Sequence, residues 1–410
     1  MMNLKDRIFG LAQTFKLHHL LLIALTALYT GWIIFVINHD KPIDFYCYYL
    51  TSYGFSHGVN MYNDVSWEQL AYEVGINHYG TPYRYPPLTA ELVWPLTLLS
   101  PRFAALIWLV ATALAFAASA WLLGCSSQTS LGTPLALGLL VFFVLPLATL
   151  YTGQVNGFLL LALVFTLYAF AHNRPAWMGV GVAVGAMLKL IPIAHLAYLG
   201  WRRQWQAAWI GLIIVVVLLC LAVPLTGWSG LASYARNFLS LGLQYDVMIP
   251  RGVNQSLNGF FVRLLTASNE RWYLANAPQL ARWLWLSTAL LLIAATAALC
   301  WPRGSFYHLF QYEFALVTTA VSLITPYTWY HQLSLLLIPF FVLTERAFTS
   351  PSWRWMLIPL IIGYTLTNVH GLAWHHLEFS PLLVSMPFYT TLMLWGLLAW
   401  VIMHERGSLR

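Results

Sequence analysis

Apolar stretches long enough to cross a bilayer follow one another along most of this 410-residue chain. Between Arg203 and Arg236 not one Lys, Arg, Asp or Glu interrupts the sequence, and its centre reads "IIVVVLLCLAVPL". A bilayer core takes about 20 apolar residues per helix. That length places candidate spans near 17–38, 86–100, 103–124, 133–151, 157–172, 177–200, 206–226, 281–301, 308–325, 330–345, 354–372 and 381–404, about twelve in all. The expected fold class is an all-α integral membrane protein, with one transmembrane domain over residues 1–410.

Composition agrees. Hydrophobic residues make up 60% of the chain and charged residues 8%, against roughly a quarter charged in soluble domains. The net charge of +7 does not imply nucleic acid, because Lys and Arg lie between apolar runs rather than in a basic block. Cys47, Cys125, Cys220 and Cys300 are scattered, with no CxxC or zinc spacing. Neither GxxxxGK[ST] nor GxGxxG occurs, which weighs against a soluble nucleotide-binding unit. No cofactor motif is read. Lys5, Arg7 and Lys16 precede an apolar stretch too long for a signal-peptide core, so the first span reads as uncleaved.

The positive-inside rule orients the spans. "WRRQW" (201–205), "WPRGSFYH" (301–308), "TERAFTSPSWRW" (344–355) and "HERGSLR" (404–410) fall inside with the basic N-terminus. Two long segments, about 39–85 and 227–280, fall outside, as do "TPYTWYH" (325–331) and "HGLAWHHLEFS" (370–380). The outer segments carry most of the polar chemistry: Asp40, Asp44, Asp64, Glu68, Glu73, Arg84, Asp246, Arg251, Arg263, Glu270 and Arg271. They also admit surface helices, with Ser66 a candidate N-cap for "SWEQLAYEVG". The side of "YTGQVNG" (151–157) stays open, because a re-entrant neighbour would swap it.

Several residues stand out chemically. Asp44 in "PIDFYCYY" lies just past the first span among aromatic rings, where desolvation raises a carboxylate's pKa and makes it a better base. The plainer reading is an interfacial aspartate at a helix end. Arg84 precedes Pro86-Pro87, which start the next helix, and can hold a phosphate bidentately or simply snorkel. Lys189 in "GAMLKLIPIAH" sits mid-span, three residues before Pro192. A lysine there costs about 3 kcal/mol even on the mildest scale, so it points to a cavity or an anion. "NQSLNGFFVRLL" offers Asn254, Gln255 and Arg263, with Arg251 just before, to sugar hydroxyls or phosphate oxygens. His331 lies at the outer end of a span behind Trp329. His370, His375 and His376 provide ligand types for a metal, but no HExxH or acidic pair accompanies them, and no metal site is expected.

Taken in order, "DFYCYYLTSYGFSHGVNMY", "YRYPPLTAELVWPL", "GQVNGFLLLALVF", "MGVGVAVGAMLKLIP", "NQSLNGFFVRLL" and "TPYTWYHQLSLLLIP" resemble glycosyltransferase family 87, the polyprenyl-phosphate-mannose-dependent mannosyltransferases. The resemblance spans about residues 44–340. It implies a GT-C fold with long extracytoplasmic loops, in a bacterial plasma membrane, with the site on the extracytoplasmic side. It implies a polyprenyl-phosphate-sugar donor and a lipid-linked or glycan acceptor, within membrane lipids. Asp44 holds the place of the family's base, Lys189 that of its K-x-x-P lysine and His331 that of its late histidine. Arg84, Tyr85, Gln154, Asn156, Arg251, Asn254, Gln255, Arg263 and Trp329 are the expected substrate-binding residues. Another lipid-linked sugar (glucose, galactose, arabinose) remains open. A lipid-linked sugar transporter is the rival class, although transporters commonly show paired repeats and none is seen here.

Overall fold

The structure is a computed structural model that describes residues 4–63, 67–80, 83–127, 129–240, 248–269, 272–302 and 306–408. Asp64, Ser66, Asp246, Glu270 and Arg271 lie outside the described residues. The described chain is helical: α1 (Leu4–Asn38), α2 (Ile43–Ser56), α3 (Trp67–Val74), α4 (Pro87–Val93), α5 (Pro101–Ser126), α6 (Gly132–Val141), α7 (Val144–Thr152), α8 (Asn156–Ala171), α9 (Pro175–Leu188), α10 (Ile193–Trp201), α11 (Trp205–Ser240), α12 (Leu257–Leu265), α13 (Pro278–Leu299), α14 (Phe306–Ile324), α15 (Leu337–Thr349), α16 (Leu357–Leu377) and α17 (Met386–Ser408).

Among the described residues, seven helical segments are long and apolar enough to cross a membrane, or eight if the bent pair α6–α7 counts as one broken span. The twelve expected spans therefore shrink for identifiable reasons. Segment 86–100 is α4 followed by a 3-10 turn over Trp94–Leu98 that contains Pro95. Seven α-helical and five 3-10 residues reach about 20 Å, short of the roughly 30 Å hydrocarbon core. Helices α8 and α9 are apolar but shorter than a full span. Helix α11 runs past the expected loop start at 227, with Gly227 at φ 69° breaking its helical backbone three residues after Pro224.

Contacts gather the chain into two compact units where one domain was expected. The first comprises Met1–Pro192 and Trp209–Phe238, the second Ile193–Ala208 and Leu239–Arg410.

In the first unit, α1 stops at Asn38 and the chain turns directly into α2. That helix is no surface helix: Phe45 through Ser52 are all buried. The Ser52 hydroxyl donates to the Ala90 carbonyl (2.8 Å) and Tyr49 Oη to the Leu99 carbonyl (2.9 Å), so α4 and its 3-10 turn lie along α2. Arg102 Nη2 then donates to Asn38 Oδ1 (3.1 Å). Helix α5 thus starts at the end where α1 stops, and segment 86–100 is not a crossing. Residues 151–157 accordingly lie at the same end of this unit as Asp44. Helix α5 runs away, the α6–α7 pair, bent by 56°, comes back, and Gln154 returns to α2.

In the second unit, two sets of polar residues gather near opposite ends of α17. Glu313 of α14 is fully buried and ion-pairs with Arg202 (2.9 Å) and Arg406 (3.0 Å), while Tyr198 Oη donates to it (2.9 Å). Arg202 and Arg406 both also donate to the Trp301 carbonyl. Arg346 pairs with Glu405, and its guanidinium lies over the Trp353 ring. The four segments assigned to one side from their charge therefore meet. About 27 Å along α17, at 1.5 Å per residue, Phe388 N–H donates to Gln255 Oε1 (3.2 Å). There residues 251–256, 326–330, His370 and 380–385 come together.

Candidate functional site

Asp44 occupies the first turn of α2, on the same face as Tyr48 one turn later. Helix α7 ends in Gly153, whose left-handed φ of 74° lets the chain reverse. A Cβ there would lie 2.6 Å from Phe45 Cβ, so only glycine lets this turn sit against α2. The next residue, Gln154, is buried and donates from Nε2 to Asp44 Oδ2 (2.7 Å). Its Oε1 accepts from Tyr85 Oη (2.7 Å) and Tyr48 Oη (3.0 Å). Two phenol donors on the amide oxygen require the NH2 group to face the carboxylate. Gln154 is thereby oriented as a donor that positions Asp44 without having a proton to give up.

Lys189 follows the last residue of α9 in extended conformation (φ −156°, ψ 126°). Lys189, mid-span by apolar length, lies at a helix break, as expected from Pro192 after it, which cannot continue the helix. The Leu188 carbonyl left without a helical partner accepts from the Thr89 hydroxyl (3.0 Å). Lys189 Nζ donates to Asn156 Oδ1 (3.4 Å) and lies 5.6 Å from the centroid of the Tyr85 ring. Asn156, the first residue of α8, is fully buried.

Asp44, Tyr85, Gln154, Asn156 and Lys189 are thus one connected group. Burial pushes the Asp44 carboxyl above its ordinary value, while the Gln154 hydrogen bond and the Lys189 charge pull it down. Gly80 covers the carboxylate: its N–H donates to the Ile43 carbonyl (2.8 Å), and a Cβ there would lie 2.6 Å from Asp44 Oδ1. Arg84 is exposed. Tyr48 was named only as an aromatic neighbour. Its role is readable from the i, i+4 spacing to Asp44 once 43–56 is taken as a helix.

The second unit holds the remaining expected residues, and several are committed to its own architecture. Asn254 forms an isolated antiparallel bridge with Trp329. Asn254 Nδ2 donates to the Pro326 carbonyl (2.9 Å), and Oδ1 accepts from the Ser256 hydroxyl (2.9 Å) and Thr328 N–H (3.0 Å). Gln255 Nε2 donates to the Gly252 and Val384 carbonyls (2.7 and 2.8 Å). Arg263, fully buried, donates to the Arg251 carbonyl (3.0 Å), the Asn254 carbonyl and the Ser385 hydroxyl (2.7 Å). These groups, expected on substrate, tie residues 251–256 to 326–330 and 380–385. Arg251 remains at intermediate exposure, with its guanidinium carbon 5.7 Å from the centroid of the half-buried Trp329 ring. His331 is 6% exposed, in a 3-10 turn before α15. His370 is buried while His375 and His376 are exposed. Among the described residues no group of three His, Cys, Asp or Glu could hold a metal ion.

The helices long enough to span, and a carboxylate–amide–lysine group on the turns joining them, define a multi-pass membrane protein with a polar site set at helix ends. The sequence model of glycosyltransferase family 87 matches residues 83–326, more than half of the chain, and the chain belongs to that family. The match contains Tyr85, Gln154, Asn156, Lys189, Arg251, Asn254, Gln255 and Arg263; Asp44, Trp329 and His331 lie outside it. The chain is also similar to the polyprenol-phosphate-mannose-dependent alpha-(1-2)-phosphatidylinositol pentamannoside mannosyltransferase of Mycobacterium tuberculosis (strain CDC 1551 / Oshkosh). The two are 27% identical over 254 residues, 60% of this chain and 56% of that protein, so the chain spans just over half the length of this relative.

Proposed function

We propose that this protein transfers a hexose, mannose before other sugars, from a polyprenyl-phosphate-sugar to an acceptor hydroxyl by one inverting displacement. Asp44 takes the hydroxyl proton as the acceptor oxygen bonds to the anomeric carbon. The bond from that carbon to the phosphate oxygen breaks, and polyprenyl phosphate leaves with the electron pair. The leaving group is already a phosphate, so no strong general acid is required. Lys189 supplies the cation that stabilises its growing charge. Inversion turns a β-linked donor into an α-linked product.

The observation that carries this reading is the Gln154–Asp44 contact: a neutral, oriented donor holds one carboxylate oxygen in a desolvated site beside a lysine. The N-terminal Lys5, Arg7 and Lys16 favour a cytoplasmic start for α1, which supports the reading that Asp44, beyond its far end, faces the extracytoplasmic side of a bacterial plasma membrane. The similar mycobacterial protein is named for a polyprenol-phosphate-mannose donor and a phosphatidylinositol mannoside acceptor, and a glycolipid acceptor suits the present reading. Arg84 and Arg251 enter as cations for the donor phosphate, Trp329 and His331 through the family resemblance, His331 as a group that orients acceptor or phosphate. Asn254, Gln255 and Arg263 enter as residues that hold the segments carrying Arg251 and Trp329.

The test is label transfer by purified protein in lipid, from polyprenyl-phosphate-[14C]mannose to a membrane-lipid extract. Wild type transfers label; Asp44→Asn binds donor and does not. Equal transfer by both sinks the assignment of the base, and label that crosses the bilayer without being transferred supports a transporter.

A further inference from the structure

The first unit contains a cavity of about 360 Å3 that the Asp44 group does not use. Its polar lining is Asn38, Asp40, Tyr46, Ser100 and Arg102, from the end of α1, the outer side of α2 and the start of α5. A volume of this size falls at the lower end of small-ligand pockets.

Asp40 sits in it by an unusual backbone. Lys41 N–H donates to the Val36 carbonyl (3.1 Å) and Asp40 N–H to the Ile37 carbonyl (3.5 Å). That pair of bonds closes α1 in a turn whose pivotal residue takes a left-handed conformation, usually glycine. Asp40 takes it at φ 51°. Helix α3 closes in the same way on Gly75, at φ 73°. Asp40, Asn173 and Arg203 are the non-glycine residues with positive φ among the described residues, and of these only Asp40 lines the cavity. The strain is accompanied by a side-chain use: Tyr46 Oη donates to Asp40 Oδ1 (2.6 Å). Across the cavity, Arg102 is anchored by Asn38 Oδ1 (3.1 Å).

We propose that this cavity binds a neutral polyhydroxyl portion of the acceptor, a sugar or cyclitol ring, an assignment that rests on the transferase reading above. The lining decides the ligand's charge. A phosphate would meet the Asp40 carboxylate and a cation would meet Arg102, whereas vicinal hydroxyls donate to the first and accept from the second. Ile37 and Ile76 supply apolar wall for a ring's C–H face. One short segment links the cavity lining to the residue beside Asp44. Gly75 and Ile76 line the cavity, and Gly80, four residues on, covers Asp44.

Asp40→Gly is the informative variant, because glycine suits the turn and removes only the carboxylate; Arg102→Gln is the second. In the label-transfer assay both are expected to raise acceptor KM about tenfold or more, the weight of one hydrogen bond to a charged group, with donor KM unchanged. The melting temperature of Asp40→Gly stays at the wild-type value. A binding arm without donor uses methyl α-D-mannopyranoside and myo-inositol, read by saturation-transfer NMR on the protein in nanodiscs. Wild type is expected to give a signal that both variants weaken and inorganic phosphate does not displace. Unchanged acceptor KM together with unchanged NMR signals overturns the site, and displacement by phosphate overturns the neutral ligand. If wild type transfers no label yet the NMR signal depends on Arg102, the transferase reading fails and the polyol site stands.

Discussion

Gln154 holds Asp44 by a 2.7 Å hydrogen bond across 110 residues of sequence, and its orientation is fixed by two tyrosine hydroxyls behind it. The bond favours the charged carboxylate against the burial that raises its pKa. On the proposal that Asp44 is the base, activity falls as pH drops through its pKa, and this limb lies above the usual range for aspartate, near 3.8. Gln154→Leu removes the stabilising donor, so the limb of kcat/KM moves to higher pH. Lys189→Met removes an opposing positive charge and moves it the same way. A pH–rate profile of the two variants checks both shifts, and a limb that moves to lower pH contradicts the placement.

The same burial makes Asp44 a cost to the fold. A carboxyl whose pKa is raised on folding binds its proton more tightly in the folded state, so stability from this group rises as pH falls and is lost as pH rises through the folded pKa. At neutral pH Asp44→Asn is therefore expected to melt at the wild-type temperature or above it while transfer is abolished. A melting curve in detergent decides this. A drop of several degrees would mean that the charge itself supports the fold.

Gly80 is the tightest steric control on the base. Its absent Cβ leaves room for Asp44 Oδ1, which would otherwise be 2.6 Å away. Gly80→Ala must displace the carboxylate or the covering segment. A misplacement near 1 Å at a reacting group costs on the order of 10²-fold in rate. The expected result is a fall in kcat of that size with donor affinity retained, measured by single-turnover transfer and equilibrium donor binding.

Much of this arrangement was readable before any coordinates. Apolar length indicates the helical membrane class, Pro86-Pro87 and Pro192 mark helix boundaries, and a place among aromatic rings just past the first span singles out Asp44. What stayed hidden was depth. Segment 86–100 is apolar enough to pass for a span, and the Tyr49–Leu99 and Arg102–Asn38 contacts reveal that it returns to the end it left. That one fact moves Gln154 to the side of Asp44. Conversely, Arg263 looked like an available cation because sequence reports its charge and not its burial. Pairings over a hundred residues apart leave no periodic signal, whereas Asp44 and Tyr48, one helical turn apart, do.

Arg263 and Arg251 are expected to fail differently. Arg263 spends its donors on two backbone carbonyls and Ser385 inside the second unit. Arg263→Met leaves those acceptors buried and unpaired, at about 1–3 kcal/mol each, and is expected to lower the melting temperature by many degrees. Arg251→Gln removes a partly exposed guanidinium from the Trp329 ring. It is expected to spare stability and to raise donor KM. Swapped phenotypes would reverse the two roles.

Glu313 provides the strongest test of the second unit's architecture. It is the shared acceptor for Arg202, Arg406 and Tyr198, and it joins α10, α14 and α17 at the end where the basic segments meet. The cluster carries one carboxylate between two guanidiniums, both also satisfied by the Trp301 carbonyl. Glu313→Ala strips the only anion of this triad and leaves two cations side by side, Arg202 buried and Arg406 partly exposed. Removing one partner of a buried pair typically costs about 3–5 kcal/mol. That is enough for the variant to express poorly or melt well below wild type. Arg406→Met, whose side chain is partly exposed, removes the repulsion together with one bond and is expected to cost less than Glu313→Ala. In the double variant the two losses should fall short of their sum, because the second substitution removes a charge that the first left unpaired. Additive losses in a double-mutant cycle of melting free energies would show that Glu313 and Arg406 do not act on one another.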